Sequence, residues 1–334
     1  MDQIVVPAHM IPAFRAFKAL KNGTEKNLLI TTWGGLGDQV CAEPTLRYAL
    51  EQFGDKAELS LATYVPEVFR HLKFKRVFDL EQEQPAYDKY LTFQTICDQR
   101  DIAWSFLNHC IINCVDFPAL SAFRCTLPIA SKEVKLYSTP IAIPDASVVV
   151  HPGKHWPSKT FPKEWWDEVL VCLRGFGFIP VIIGKDLDDA RGTVDVNTEG
   201  CVDLRNQLDL NGMVYLLQQA KVILTNDSSP IHIGASGHAF IGFVATCKHP
   251  DYISHWRMGE WSWRMKNLGR GGIWEHLDHL PNKANDVTVD QCDPELLKSW
   301  LPEPIEMAEW AAWSVQRYRE EPVHTDKEWR ETLA

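Results

Sequence analysis

Strand-like apolar runs alternate with helix-like amphipathic stretches along most of this chain. "NLLITTW" leads into a helical pattern from Gln39 to about Phe53, "AELSLAT" into another near Pro66–Leu72, and "RVFDL" closes the first series. After "KEVKLYSTPIAIPDAS", a connector with three prolines, the alternation resumes. It runs through "SVVVHPG", a helix from about Lys163 to Phe176, "IPVIIG", a helix near Leu208–Gln219, "KVILTN", a helix from Pro230, and "AFIGFVA". Alternation of this length predicts parallel sheets with helical crossovers. Two series on either side of a connector predict two doubly wound, Rossmann-like α/β domains facing each other across a cleft. We place them at 1–140 and 141–300. An amphipathic segment (Ile11, Phe14, Phe17, Leu20) precedes the first series, and 101–123 is apolar but without a clear period. A closing helix at 301–334, with Ile305, Trp310 and Trp313 on its apolar face beside Ala308 and Ala312, is expected to cross back onto the N-terminal half.

Composition narrows the function classes. A chain of 334 residues with 45% apolar and 23% charged positions fits two ordinary soluble domains. A formal charge of −10 excludes a protein that grips nucleic acid over its whole surface, though not one with a local basic groove. His9, Arg15 and Lys18 interrupt the first apolar run, so neither a signal peptide nor a transmembrane anchor is expected. That points to the cytoplasm and leaves room for peripheral membrane contact. The nine cysteines form no CxxC pair; Cys110 and Cys114 are the nearest neighbours. They read as buried thiols of a reducing compartment. "HCIINC" and "WEHLDH" lack a partner pair at zinc spacing, so no metal is expected.

Three unusual loops follow strands, at the sheet ends where doubly wound folds bind ligands. In "NDSSPIHIGAS", Ser229 suits a helix N-cap and Pro230 the first helical position, with Asp227 and Ser228 before them and His232 in the first turn. This is either a capped helix with a solvated histidine or a phosphate site. "HPGKHWPSKTFPKEWW" sets His151 and Gly153 after a strand, then Lys154 and Lys159 in a loop stiffened by Pro152, Pro157 and Pro162. The loop is either a turn with exposed lysines or a holder of an anion. In "WGGLGD", Gly34, Gly35 and Gly37 do not make the GxGxxG dinucleotide pattern, which argues against a nicotinamide oxidoreductase. Asp38 either caps the following helix or takes a proton from a hydroxyl in the space the glycines leave.

Together, "LLITTWGGLGDQVCAEPTLRYAL", "VVVHPGKHWPSKTFPKEWWDEVL" and "LLQQAKVILTNDSSPIHIGAS" resemble, in order and spacing, the three signatures of the heptosyltransferase-like glycosyltransferases, glycosyltransferase family 9. The resemblance covers Pro44, a proline that helix propensity would not place inside a helix. It implies a GT-B fold whose C-terminal half mainly holds a nucleotide-diphosphate sugar and whose N-terminal half mainly holds the acceptor. It further implies inverting, metal-independent transfer without a cofactor, to a lipopolysaccharide or other cell-envelope glycan. Asp38 matches the family's base and Lys159 the lysine at the donor phosphates. Asp227, Ser228 and His232 match the donor-binding turn; Gly35, Gly37, His151, Gly153 and Ser229 complete the candidate binding set.

The sequence also departs from the family pattern. Ser229 stands where the family usually has glycine, and "KHPDYISHWRMGEWSWRMKNLGRGGIWEH" replaces its usual turn. There Arg257, Arg264, Lys266 and Arg270 interleave with Trp256, Trp261, Trp263 and Trp274, either to stack sugars or bases or to cover the core. Arg70, Lys73, Lys75 and Arg76 form a second basic cluster, a solvated face or part of an acceptor surface. Two rival readings follow: a glycosyltransferase acting on a hydroxylated base in DNA, and a non-catalytic sugar-nucleotide-binding protein.

Overall fold

The computed structural model describes residues 22, 26–95, 113–123, 127–128, 131–143, 148–185, 192–255, 264–273 and 292–320. Several expectations therefore fall on residues outside this description: the N-terminal amphipathic segment, 101–112 with Cys110, "WEHLDH", and Trp256, Arg257, Trp261, Trp263 and Trp274. The chain divides into two compact units, Met1–Ser138 with Asp251–Gly259, and Thr139–Pro250 with Glu260–Ala334. The second unit is thus not the contiguous 141–300 expected, because a short segment leaves it and joins the first.

In the first unit, β1 (Asn27–Thr31), α1 (Leu36–Cys41), α2 (Glu43–Phe53), β2 (Glu58–Thr63), β3 (Arg76–Asp79), β4 (Leu91–Gln94) and α3 (Asp116–Phe123) follow in order. The four strands are all parallel, in the order β3-β2-β1-β4. Leu28, Leu29 and Ile30 of β1 are buried, as a central parallel strand covered on both faces requires. The single helix expected over Gln39–Phe53 is two. α1 ends at Cys41, and α2 restarts at Glu43 with Pro44 in its first turn, where a missing N–H breaks no helical bond. The helix expected at Pro66–Leu72 is a 3-10 turn over Pro66–Phe69.

The second unit contains β5 (Val148–His151), α4 (Lys163–Gly175), β6 (Val181–Ile182), β7 (Val202–Asp203), α5 (Leu210–Gln219), β8 (Val222–Asn226), α6 (Ser229–Gly234) and β9 (Phe240–Val244). α7 (Pro250–Ile253) marks the passage to the first unit, after which β10 (Met265–Asn267), α8 (Pro294–Trp300) and α9 (Pro304–Glu320) complete the second. Its six parallel strands run β10-β9-β8-β5-β6-β7. The chain moves outward from β5 through β6 to β7, then returns to lay β8, β9 and β10 on the other side. The reversal between β5 and β8 is the topological switch point, where doubly wound sheets open a crevice beyond their carboxyl ends. Both sheets have the doubly wound, parallel α/β architecture of the GT-B class.

Packing decides where the closing helix goes. α9 lies on α4, β8 and β9 within the second unit. Met307, Ala308, Ala311 and Val315 are buried with Trp310, whereas Ile305 and Trp313 of the expected apolar face are exposed. The reason lies on β9. Gly242 has no Cβ, and one built there would stand 2.5 Å from Trp310 Cζ3. The missing side chain is the seat of the indole, whose burial contributes roughly 2–3 kcal/mol. No described helix is long and apolar enough to cross a membrane.

Gly242→Val should unseat Trp310 and destabilise the second unit by about 1–3 kcal/mol, the usual cost of overpacking. Adding Trp310→Leu to the same chain should restore part of the loss, which thermal melting of the single and double variants would show.

Candidate active site

The switch point brings two of the three loops together because β5 and β8 pair directly, with His151 opposite Thr225. Both strands are fully buried along their hydrophobic residues, so their register is set by the core and the loops leave from one edge. His151 Nδ1 lies 3.2 Å from Thr225 Oγ1 and 3.1 Å from Ser228 Oγ, and those two hydroxyls lie 2.9 Å apart. Burial pulls the His151 pKa down to about 4, with an opposing contribution from a hydrogen bond with Asn226. Its imidazole is therefore neutral near pH 7.

Asn226 holds the second loop in place. Its amide donates to the carbonyl of Gly153 (3.0 Å) and to that of Lys159 (2.6 Å). A Cβ on Gly153 would approach Asn226 Oδ1 to 2.4 Å and His151 Cε1 to 2.7 Å, so only glycine lets the backbone come this close. Lys159 is fixed from the other side as well. Thr246 Oγ1 donates to the Ser158 carbonyl, and Ser158 Oγ lies 2.7 Å from Cys247 Sγ.

Lys159 is buried, and its ammonium stands 2.6 Å from Asp227 Oδ2. It also lies over the Trp156 ring, 4.9 Å from the centroid. Burial acts to raise the Asp227 pKa, but Lys159, Lys248 and His232 together outweigh it and hold the carboxyl below its ordinary value. Asp227 is therefore an anion, held in contact by Lys159 and favoured electrostatically by Lys248 and His232. Such a loop offers cations to a negative ligand rather than carboxylates to a metal ion. Of the two readings of this loop, the turn with exposed lysines does not hold for Lys159, which is buried.

α6 begins one residue earlier than expected: Ser228 is its N-cap and Ser229 its first residue. In the first loop, in the first unit, Asp38 does not precede a helix starting at Gln39 as its cap: α1 starts at Leu36, Gly35 is the N-cap, and Asp38 is the third helical residue, reaching back to the N-cap backbone. Gly35 N–H donates to Asp38 Oδ2 at 2.9 Å, and the carboxylate is exposed. Gly34 has φ +90, and a Cβ there would meet Asp38 Oδ2 at 2.7 Å, so glycine is required twice over. Gly37 lies within α1 itself. The capping role leaves an exposed carboxylate at a switch point, since β1 sits between β2 and β4.

Several residues here escaped the sequence reading. The buried Gln39 Oε1 accepts from Thr32 Oγ1 (3.1 Å), Thr63 Oγ1 (2.8 Å) and Tyr64 N (3.1 Å), while its amide donates to Gly34 O (3.4 Å). Glu43, fully buried, accepts from Arg47 Nε (3.0 Å) and Lys135 N (2.8 Å) and stands 3.2 Å from His71 Nε2. Thr225, Asn226, Thr246, Cys247 and Lys248 support the second-unit site. A polar residue directly after an apolar strand was the one available sign of Asn226.

The basic clusters are largely engaged within the protein. Lys75 pairs with Glu58, and Arg76 with Glu83; Arg70 lies over Tyr137. Arg264 lies over Phe240, and Arg270 binds Glu303 and Glu306. A cavity of about 690 Å³ lies elsewhere in the second unit, lined by Lys266, Trp310 and Trp313 among others, and includes no residue of the loops.

Residues 115–239 match the profile of "glycosyltransferase family 9 (heptosyltransferase)". That span includes His151, Gly153, Lys159 and the Asp227–His232 turn, but not Asp38. No curated protein matches the chain. Among solved structures, a family 9 glycosyl transferase from Veillonella parvula DSM 2008 is similar at 13% identity and TM-score 0.57, over 89% of this chain and 98% of that one. TibC, an iron-containing dodecameric glycosyltransferase from enterotoxigenic E. coli H10407, is similar at 14% identity and TM-score 0.60, over 88% and 76%. TibC has also been solved with ADP-D-β-D-heptose. E. coli ADP-heptose lps heptosyltransferase II is similar at 14% identity and TM-score 0.52, over 79% and 98%. At these identities the likeness establishes the fold.

The depressed His151 pKa makes stability depend on pH. Between the unfolded value of 6.5 and about 4 the unfolded chain binds a proton that the folded chain refuses, so stability falls as pH falls through that window. The loss should reach on the order of 2–3 kcal/mol near pH 4. Melting curves of wild type and His151→Asn across pH 4–7.5 would check it, with the flatter profile expected in the variant.

Proposed function

We propose that this chain, whose residues 115–239 match the family 9 (heptosyltransferase) profile, is a heptosyltransferase-like glycosyltransferase that moves a sugar from a nucleoside-diphosphate donor to an acceptor hydroxyl with inversion. One observation carries this reading. At the switch point of the second sheet, Lys159 contacts the carboxylate of Asp227, and the charge of Lys248 and the influence of His232 help to keep that carboxyl ionised, so cations gather where the loops end. A diphosphate leaving group acquires negative charge as the glycosidic bond breaks, and fixed cations stabilise that charge. The family-matched span contains the loops that build this cluster up to His232. α6 has only six residues, so its dipole is a minor contribution beside the lysines.

In the step we infer, the acceptor oxygen attacks the anomeric carbon opposite the diphosphate. The carbon–oxygen bond to the phosphate breaks with its electron pair, and Asp38 takes the hydroxyl proton as the new bond forms. No metal or cofactor is needed for this charge balance: the ammonium groups receive the leaving group and the carboxylate receives the proton. Because the similar structures include an ADP-heptose complex and an lps heptosyltransferase, we take ADP-heptose as the donor to test first. A cell-envelope glycan is the acceptor class, and the cytoplasm, where nucleotide sugars are made, is the compartment. A hydroxylated base in DNA draws no support. Two of the three described cations of the segment that suggested it, Arg264 and Arg270, are engaged with Phe240, Glu303 and Glu306.

Asp38→Asn is the discriminating variant, because an asparagine oxygen can still accept from Gly35 N–H and keep the α1 cap while losing the basic carboxylate. ADP binding and melting temperature should be unchanged and turnover should fall by about 10²–10⁴-fold. Unchanged turnover would assign the proton to another base, and absence of turnover in the wild type would favour the non-catalytic alternative. Lys248→Ala should weaken ADP binding by about tenfold, the worth of one charge-assisted hydrogen bond, measured by calorimetry.

A further inference from the structure

Three ligand-type side chains from distant parts of the sequence meet inside the first unit. Cys41 is the last residue of α1, Cys114 precedes α3, and His255 follows α7. All three are buried, at 3%, 5% and 4% exposure. Cys41 Sγ lies 3.8 Å from His255 Nε2, although 214 positions separate them. The ligand atoms of the three residues all lie within 4.8 Å of one another.

These separations suit one ion. Zinc–sulfur bonds of about 2.3 Å and zinc–nitrogen bonds of about 2.1 Å, at tetrahedral angles, put S and N about 3.6 Å apart and two sulfurs about 3.8 Å apart. Closing around an ion would therefore take only small side-chain adjustments. The backbone that presents the ligands is already fixed. Cys114 N–H donates to Tyr252 O at 2.9 Å, and Asn113 Nδ2 donates to the carbonyls of Asp251 (3.2 Å) and Ser254. The Phe117 and Tyr252 rings meet edge to face at 6.2 Å between centroids. The segment carrying His255 is thus docked on the one carrying Cys114.

We propose that Cys41, Cys114 and His255 form a binding site for a borderline-soft divalent ion, zinc foremost. Two sulfurs and an imidazole select zinc over magnesium, calcium or manganese. Each ion that binds displaces two thiol protons to solvent and takes His255 as the neutral imidazole. The Cys114 S–H, which points at the Ile253 carbonyl 3.4 Å away, is given up in the process. A fourth donor other than these three completes the tetrahedron. The ion staples α1, the approach to α3 and the end of α7, and so steadies the helix that carries Asp38. The proposal concerns ion binding by residues of the first unit and does not rest on the transfer chemistry assigned to Asp38 and Lys159.

The test uses the full chain, purified metal-free under reducing conditions and titrated with cobalt(II), then zinc. One cobalt per chain is expected, with a sulfur-to-cobalt charge-transfer band of two thiolates, tetrahedral d–d bands, zinc displacing cobalt, and a higher melting temperature with zinc. Cys41→Ser and Cys114→Ser should each lower affinity by at least ~100-fold, the upper end of what even outer-sphere partners cost. His255→Ala should weaken binding while keeping the charge-transfer band. Cys172→Ser and Cys292→Ser, in the second unit, should bind as wild type does. Absence of a charge-transfer band in the wild-type chain overturns the proposal whatever the variants do. So does a band that survives Cys41→Ser/Cys114→Ser, or a Cys41–Cys114 disulfide that persists in the reduced protein.

Discussion

The buried pair of Lys159 and Asp227 is the constraint around which the second unit's loops are arranged. Removing two charges from water costs several kcal/mol for each, and their attraction offsets this only with close geometry and further partners. Both conditions are met at a 2.6 Å separation, with Trp156 under the ammonium and Lys248 and His232 acting on the carboxylate. Such a pair adds little to net stability compared with apolar residues of the same volume. Its effect is to fix one arrangement, because losing either partner would strand the other charge. That arrangement exists only where β5 and β8 lie side by side, so the strand order and the ion pair depend on each other.

The first unit solves a similar problem without charge. A glycine loop at the switch point of the first sheet has few side chains to hold it, and Gln39 supplies the restraint from below. One buried amide oxygen gathers Thr32, Thr63 and Tyr64, and the same amide's nitrogen reaches Gly34. Asp38 then closes the loop over Gly35 while its carboxylate stays in solvent. A carboxylate that caps a helix is held in one orientation, which is also what a proton acceptor needs. Capping and chemistry are thus compatible uses of one residue.

The two loops of the second unit share a design in which short polar side chains position longer charged ones. Asn226 ties the backbone of Gly153 to that of Lys159, Thr246 and Cys247 hold Ser158, and His151 stays neutral among hydroxyls. None of these groups needs to touch a ligand to matter. Each lowers the number of conformations open to Lys159 and to the Asp227–His232 turn, and preorganised charge is worth more to a developing anion than mobile charge.

Local order along the chain determined much of this protein. The alternation of apolar runs and amphipathic stretches, the glycines that must precede Asp38 and the order of three loops after three strands were all legible, because period, turn chemistry and motif spacing are properties of neighbouring residues. Where the reading failed, the cause was non-local. Pro44 lies in the first turn of a second helix instead of bending one, and Trp310 of α9 is seated only because Gly242, more than sixty positions earlier, leaves room for it. The partner of Lys159 could not be read from spacing, since Asp227 meets it only after β8 pairs with β5. Likewise Cys41, Cys114 and His255 show no ligand pattern in order, and only the docking of the chain after α7 on the approach to α3 brings them together. Contacts across such separations depend on which strands and helices pack, and packing is a property of the whole core rather than of any one stretch of sequence.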